Sequence, residues 1–339
     1  MNPIRTDDYH AGGEPFRIVL DGIPEIPGRT VLERRRWAHD NLDDVRHLII
    51  DEPRGHADMY GCYVVPPNDD GADLGVIFFH NEGYSTACGH GTIALVTWAL
   101  DTGRLTGDRT TPGEIRVTVD VPSGRLACTA RIADDGRVEA VRFRNVPAFV
   151  LASGVTVPTS RGDVTVEVSY GGAFYGSVDV RSIGLDVSPA SLPALIALQR
   201  ELRPALETAL AVVHPHEPEL SGIYGVIFWQ SEGGEEGADL VQRNVTVFAD
   251  GEVDRSPCGS GTSARLALLD AAGALPRGAR LRHRSIIDSV FHGRVVDEGP
   301  RVEGRASVIT EVEGSAFATG RHEFILDPRD PLGTGFLLR

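Results

Sequence analysis

Lysine is missing from this chain: none of the 339 residues is a lysine, so all 33 basic side chains are arginine. Without a lysine amine there is no Schiff base to a carbonyl substrate or to pyridoxal phosphate. The phosphate-binding lysine of a Walker A loop is excluded with it. Positive charge is scarce as a whole. A formal charge of −15 and a pI near 5.2 leave no basic footprint for nucleic acid. No apolar run reaches the ~18 residues of a membrane span, so no membrane partner is expected. The opening Met-Asn-Pro-Ile-Arg-Thr-Asp-Asp lacks the apolar stretch of a signal peptide. Cysteine is sparse too. Cys62, Cys88, Cys128 and Cys258 are too few and too scattered for a disulfide framework. A reduced, cytoplasmic setting is expected, with the thiols available for chemistry.

The chain is long enough for two domains with developed cores, and 41% hydrophobic with 24% charged residues is the balance of a soluble globular protein. Its organising feature occurs twice. Residues 88–100 read Cys-Gly-His-Gly-Thr-Ile-Ala-Leu-Val-Thr-Trp-Ala-Leu, and residues 258–269 read Cys-Gly-Ser-Gly-Thr-Ser-Ala-Arg-Leu-Ala-Leu-Leu. The two cysteines lie 170 residues apart, half the chain. Other features recur around them in the same order. His10-Ala-Gly-Gly-Glu-Pro15 is matched by Ser169-Tyr-Gly-Gly-Ala-Phe174, and Met59–Val65 by Ile223–Trp229. Leu74–Phe79 leads toward Cys88 as Asn244–Phe248 leads toward Cys258. Recurrence of four features in order predicts two homologous halves. The boundary is expected near residue 158, giving domains 1–158 and 159–326, with a tail 327–339 returning to the first.

Each helix after a cysteine is apolar on nearly every face, and a soluble helix of that kind has to be enclosed. Gly103 and Gly273 stand where their C-terminal caps belong. The wrapping is expected from strands, among them Glu114–Val121, Arg125–Ile132, Val138–Phe143 and Asp163–Val168. Residues 30–47 read as a charged surface helix. The fold class is therefore α+β: two domains, each a curved, mostly antiparallel sheet or barrel around one central helix. Cys62 and Cys128, both within strands, read as core packing.

A cysteine at a helix start, followed by Gly-x-Gly-Thr, has unbonded N–H groups and the positive end of the dipole beside it. That setting is expected to lower the thiol toward neutrality and to seat a carboxylate. Two such helix mouths would hold one small anion between two thiols. One thiolate would remove an α-proton from one face while the other thiol returned a proton to the opposite face. Asp254 and His90 are the nearest ionisable companions in sequence. The rival readings fit less well. Cys258 to Arg265 is one residue too long for the Cys-x5-Arg loop of thiol phosphatases. Cys88, His90 and Cys258, with His214 or His216, match no recognised zinc spacing, so no metal is expected. A cysteine hydrolase would leave the second copy unexplained.

These residues carry a resemblance to the proline racemase family, which includes hydroxyproline 2-epimerases and trans-3-hydroxy-L-proline dehydratases. The matching stretches are His10–Pro15, Asn81–Gly91, Asp254–Thr262 and Asp330–Phe336, which reach from end to end. The resemblance implies a diaminopimelate-epimerase-like pair of domains, with the site in the cleft between them and no cofactor. It implies Cys88 and Cys258 as the two bases. The N–H groups of Gly89, His90, Gly259 and Ser260 would bind the substrate carboxylate, with Gly261 and Thr262 completing that turn. His90 and Asp254 would contact the ring nitrogen. The partner implied is a small amino acid, proline or hydroxyproline, and the protein would act as a monomer or homodimer.

Two cysteines supply an acid and a base on opposite faces, which favours a proline racemase or 4-hydroxyproline 2-epimerase. In the dehydratases threonine usually stands at the position of Cys258. Yet His80-Asn-Glu-Gly-Tyr-Ser-Thr86 is similar to the dehydratase branch, and Ala87 replaces a methionine common there. Dehydration of trans-3-hydroxy-L-proline, alone or as a second activity, is the alternative. An amino-acid-binding protein without turnover is the reading from another class.

Overall fold

The computed structural model describes residues 2–233 and 239–338. Its architecture follows from one requirement, the enclosure of two apolar helices, and the chain divides into two units that each meet it. The first unit contains residues 1–143 and 315–339, the second residues 144–314.

The first unit begins with β1 (Ile4–Ala11), β2 (Glu14–Asp21), α1 (Val31–Asn41), α2 (Asp43–Ile50), β3 (Tyr60–Val65) and β4 (Leu74–His80). It continues with α3 (Gly89–Asp101), β5 (Gly113–Val121), β6 (Gly124–Ile132) and β7 (Val138–Arg144). The hairpins β1–β2, β3–β4 and β5–β6 are antiparallel, and parallel pairings join β2 to β3 and β4 to β5. Helix α3 packs against β1, β2, β3 and β6 and is buried from Gly89 to Leu100. The indole of Trp98 is satisfied, donating to Asp7 at 2.8 Å. The sequence predicts a single surface helix over residues 30–47; two helices form instead. Thr30 and Glu33 make a capping box for α1, and Leu42 then leaves the helical region at φ −123°. Helix α2 is not a surface element: Leu48, Ile49 and Ile50 pack with Tyr63, Ile77 and Phe79. Strand β4 is thereby covered on both faces, which is why Leu74–Phe79 reads as a continuous apolar run rather than an alternating one.

The second unit comprises β8 (Ala148–Thr159), β9 (Gly162–Tyr170), β10 (Phe174–Asp179), α4 (Leu192–Ala209), β11 (Ile223–Gly233) and β12 (Leu240–Phe248). β13 (Glu252–Asp254), α5 (Gly259–Ala271), β14 (Leu281–Arg284), β15 (Val290–Val302) and β16 (Arg305–Gly314) complete it. Pairing runs β8–β9–β10–β11–β12–β14–β15–β16 and returns from β16 to β8, a sheet closed on itself. Helix α5 packs against β8, β9, β10, β15 and β16. Gly103 and Gly273, just past α3 and α5, take positive φ of 72° and 64°, as helix-ending glycines do. Helix α4, a segment for which no element is named from the sequence, contains Pro204 and buries Leu195, Leu198, Leu202 and Leu206 along one face.

The last strand, β17 (Ala316–Phe324), pairs antiparallel with β1 and so belongs to the first unit. The sequence places a boundary near residue 158. In the structure the residues on both sides of that position form one hairpin, β8–β9, and the units divide at Phe143/Arg144 and Gly314/Ser315. The final strand of each repeat is paired in the other repeat's unit. Beyond β17, Arg54 donates to the carbonyls of Gly333 and Thr334, and Glu52 forms a backbone bridge with Phe336.

Candidate active site

Cys88 is the N-cap of α3, with extended backbone (φ −149°, ψ 102°), and its sulfur accepts the Gly91 N–H at 3.2 Å. Gly91 cannot carry a side chain there. A β-carbon would meet the Phe16 ring at 2.5 Å and the Cys88 sulfur at 2.7 Å. Thr92 spends its N–H and its hydroxyl on the Cys88 carbonyl. Within the first turn this leaves Gly89 and His90 as N–H donors with no intrahelical acceptor. The Cys88 sulfur lies 3.5 Å from both ring nitrogens of His90. The imidazole is sandwiched edge-on by Phe16 and Tyr60, with ring centroids 5.8 and 4.9 Å away. Burial pushes His90 down to about 3, so its imidazole is neutral.

Cys258 occupies the same place before α5 in a different conformation. Its φ is +62°, the left-handed region that a β-carbon disfavours, at a cost of about 1–3 kcal/mol. The preceding loop holds it there. Ser256 donates its N–H to Asp254 Oδ1 at 2.8 Å, and its hydroxyl accepts the Cys258 N–H at 3.0 Å. Asp254 is the terminal residue of β13, paired directly opposite Thr246 of β12. At Gly261 a β-carbon would fall 2.9 Å from the Cys258 sulfur. Thr262 is engaged within the chain. Its N–H donates to the Cys258 carbonyl at 2.7 Å, and its hydroxyl bonds Pro257 O at 3.3 Å and His283 Nδ1 at 2.8 Å. His283 Nε2 has no hydrogen-bond partner among the described residues. Burial, with Arg265 adding to it, pushes His283 down to about 3.

The helix starts alone predict lowered thiols. At Cys258 the opposite holds: burial raises the thiol first, and the Asp254 carboxylate raises it further. The Gly261 N–H and the Thr246 and Tyr175 hydroxyls favour the thiolate but do not prevail. The enclosed sulfur has lost water, and its nearest ionisable neighbour brings negative charge. Burial likewise raises Asp254 above the usual carboxylate range. Cys62 and Cys128 are core residues as expected, both raised by burial, and all four cysteines are thiols rather than halves of disulfides.

The sequence-predicted residues thus gather in two groups, Cys88, Gly89 and His90 in the first unit, and Asp254 with Cys258–Thr262 in the second. The His-Pro-His stretch stands apart, His214 packing on Tyr170 after α4. Arg265 points its guanidinium over the Trp229 ring, 3.7 Å from the centroid, and donates to Gln242. Among the described residues no group of three or more His, Cys, Asp or Glu side chains is arranged to hold a metal ion. Nor, among them, is any helix long and apolar enough to cross a membrane.

Residues 7–337 match the proline racemase family. The chain belongs to that family. Similarity to individual proline racemase family members is as extensive. The chain is 44% identical over 335 residues to the trans-3-hydroxy-L-proline dehydratase of Bacillus cereus, covering 98% of this chain and 97% of that protein. It is 45% identical over 337 residues to the 3-hydroxyproline 2-epimerase of Burkholderia multivorans, covering 99% and 98%. Its fold superposes with a TM-score of 0.89 on the crystal structure of a hydroxyproline epimerase from Agrobacterium vitis with bound trans-4-hydroxy-L-proline. That pair is 32% identical, with 100% of this chain and 95% of the other covered.

Several residues that build the site escape a sequence reading. Phe16, Tyr60 and Tyr175 contact the motif residues from other elements, and Ser256, inside the second motif, acts on the backbone turn before Cys258 rather than as a site residue. The available signal was positional: Phe16 and Tyr175 each stand third after a Gly-Gly pair.

Proposed function

We propose that this protein inverts the α-carbon of a hydroxyproline by a two-thiol mechanism, and that 3-hydroxyproline is its substrate. The observation that carries the reading is a cysteine at the N-terminus of each of two buried helices, one in each unit. Relatives named for 3-hydroxyproline support the choice of ring over proline or 4-hydroxyproline.

In this mechanism Cys88, as thiolate, takes the α-proton, and the Cys258 S–H delivers a proton to the opposite face. The reverse direction exchanges the roles. The first-turn N–H groups of Gly89, His90, Gly259 and Ser260 hold the carboxylate and stabilise the enolate-like charge that develops on it. Neutral His90 accepts a hydrogen bond from the ring ammonium, and Asp254 balances its charge. Gly261 and Thr262 shape the turn, with Thr262 acting through the Cys258 carbonyl.

Dehydration of trans-3-hydroxy-L-proline is the second reading, favoured by the name of the Bacillus cereus relative. There Cys88 removes the α-proton and the 3-hydroxyl leaves with a proton as water. Proton NMR in D2O separates the two. Deuterium entering the α-carbon with inversion supports epimerisation, and loss of the 3-hydroxyl to a cyclic imine replaces it with dehydration. No reaction of 3-hydroxyproline, trans-4-hydroxy-L-proline or L-proline with reduced protein would leave a binding protein and sink both.

A further inference from the structure

The two repeats place different groups behind their cysteines. Counted from the Gly-Gly pairs, Phe16 and Tyr175 are counterparts; counted from the cysteines, so are His90 and Ser260. In the first unit one side chain offers the sulfur two nitrogens at the same 3.5 Å, and a neutral imidazole has one donor and one acceptor among them. In the second unit Ser260 is too short to do this. Instead Tyr175 Oη and Ser260 Oγ are 2.7 Å apart, and they lie 3.8 and 4.0 Å from the Cys258 sulfur. The three groups close a triangle, and all are buried. Either hydroxyl can be the donor in the bond between them.

We propose that Tyr175 and Ser260 form a reversible hydroxyl pair that supports Cys258 in both its protonated and its ionised state, Tyr175 being a positioning residue. The inference rests on the two-thiol reading above. With Cys258 protonated, its S–H donates to Tyr175 Oη, and the Tyr175 O–H donates to Ser260 Oγ. When Cys258 acts as the acid, its S–H bond breaks, a C–H bond forms on the substrate, and the electron pair stays on sulfur. Ser260 then turns its O–H to Tyr175 Oη, and Tyr175 turns its own to the thiolate. Both hydroxyls keep their protons; only the direction of donation reverses. The pair thus gives Cys258 the acceptor and the donor that His90 gives Cys88.

The other groups facing this cluster do not substitute for it. Asp254 from β13 accepts a hydrogen bond from the Cys258 thiol but opposes the thiolate, so it serves the protonated state alone. Tyr224 from β11 meets Tyr175 edge-on, with centroids 5.7 Å apart. The Thr246 hydroxyl from β12 favours the thiolate but has no partner to reverse its donation, since among the described residues it makes no hydrogen bond of ordinary length.

The test is the rate at which iodoacetamide alkylates Cys258, followed by peptide mass spectrometry in the full-length protein across a range of pH. Tyr175→Phe keeps the ring and removes the donor to the thiolate. The expected result is an alkylation rate about tenfold lower at a given pH, the worth of about one pKa unit, with unchanged thermal melting. Ser260→Ala should lower the rate by less, and Ser260→Thr should restore it. With substrate, Tyr175→Phe should lower kcat, leave KM alone and move the pH profile to higher pH. A rate and profile equal to the parent's in folded Tyr175→Phe would overturn the proposal. If that variant does not fold, an unaltered rate in Ser260→Ala overturns it. Alkylation needs no turnover, so absence of epimerase activity refutes the proposed function without deciding this one.

Discussion

Gly171, in the turn between β9 and β10, lies so close to Ser260 that a β-carbon on it would fall 2.4 Å from the Ser260 carbonyl oxygen. The same atom would be 2.5 Å from the Ala264 N. These are backbone atoms of α5, and they cannot rotate away. The Gly-Gly element of the second repeat is therefore the seat of the helix that carries Cys258. Asn145 holds that seat from the other side, donating to the Gly171 carbonyl at 2.8 Å.

Gly171→Ala is expected to destabilise the protein by roughly 1–3 kcal/mol through overpacking. It should also displace the first turn of α5. Thermal unfolding would show a lowered midpoint, and activity would fall further than the lost stability explains. An unchanged melting curve would contradict the close approach.

Gly91→Ala and Gly261→Ala test the sulfur positions directly. In each a β-carbon would stand within 3 Å of the cysteine sulfur. Displacing a reacting atom by about 1 Å costs on the order of 10²-fold. The expected outcome is a fall of that size in kcat with far-UV circular dichroism preserved. The Gly91 variant should be the more damaged, because the added atom also meets Phe16. Near-normal turnover in both would place the chemistry elsewhere.

Asp254→Asn removes the charge that helps to raise Cys258. The amide can still accept the Ser256 N–H, so the loop should hold. Iodoacetamide should alkylate Cys258 faster in the variant at pH values above about 6, where Asp254 is ionised in the folded parent. Stability carries a second sign. Asp254 is raised in the folded state by burial, so its contribution is fullest below the ordinary carboxylate range and is lost as pH rises through the higher folded value. Urea unfolding should show a smaller loss over that interval in Asp254→Asn than in the parent.

Two buried histidines make the protein acid-sensitive, against an opposing contribution from the raised Asp254. His90 and His283 are both held at about 3 by burial, against an ordinary 6.5. Their contribution is present above 6.5 and is lost as pH falls toward the folded value. Partial burial lowers His214 and His292 in the same direction, whereas Asp51 raises His47 and gives the opposite slope. Urea midpoints should drop between about pH 7 and about pH 5, with a shallower drop in His283→Asn. Parallel slopes in parent and variant would show that His283 does not titrate as described.

Much of this molecule could be read from local pattern. The cysteine-headed helices, their glycine stops and most strands of both hairpin sets were legible because each depends on a few neighbouring residues. What was hidden depends on distant ones. The left-handed Cys258 is imposed by Asp254 and Ser256 acting together, and no propensity signals it. The direction of its thiol shift runs against the sequence expectation because a helix start is visible in sequence and burial is not. Helix α4 carries a proline inside it, which argues against helix in isolation, while four buried leucines on one face argue more strongly for it.

The exchange of final strands also sets an order of events. Every strand of the second unit lies between residues 144 and 314, so that unit can close as soon as this segment has left the ribosome. The first unit is made earlier but needs β17, which comes off last. During synthesis the half that begins first is the half that finishes last. Until then the edge of β1 that β17 will cover is open.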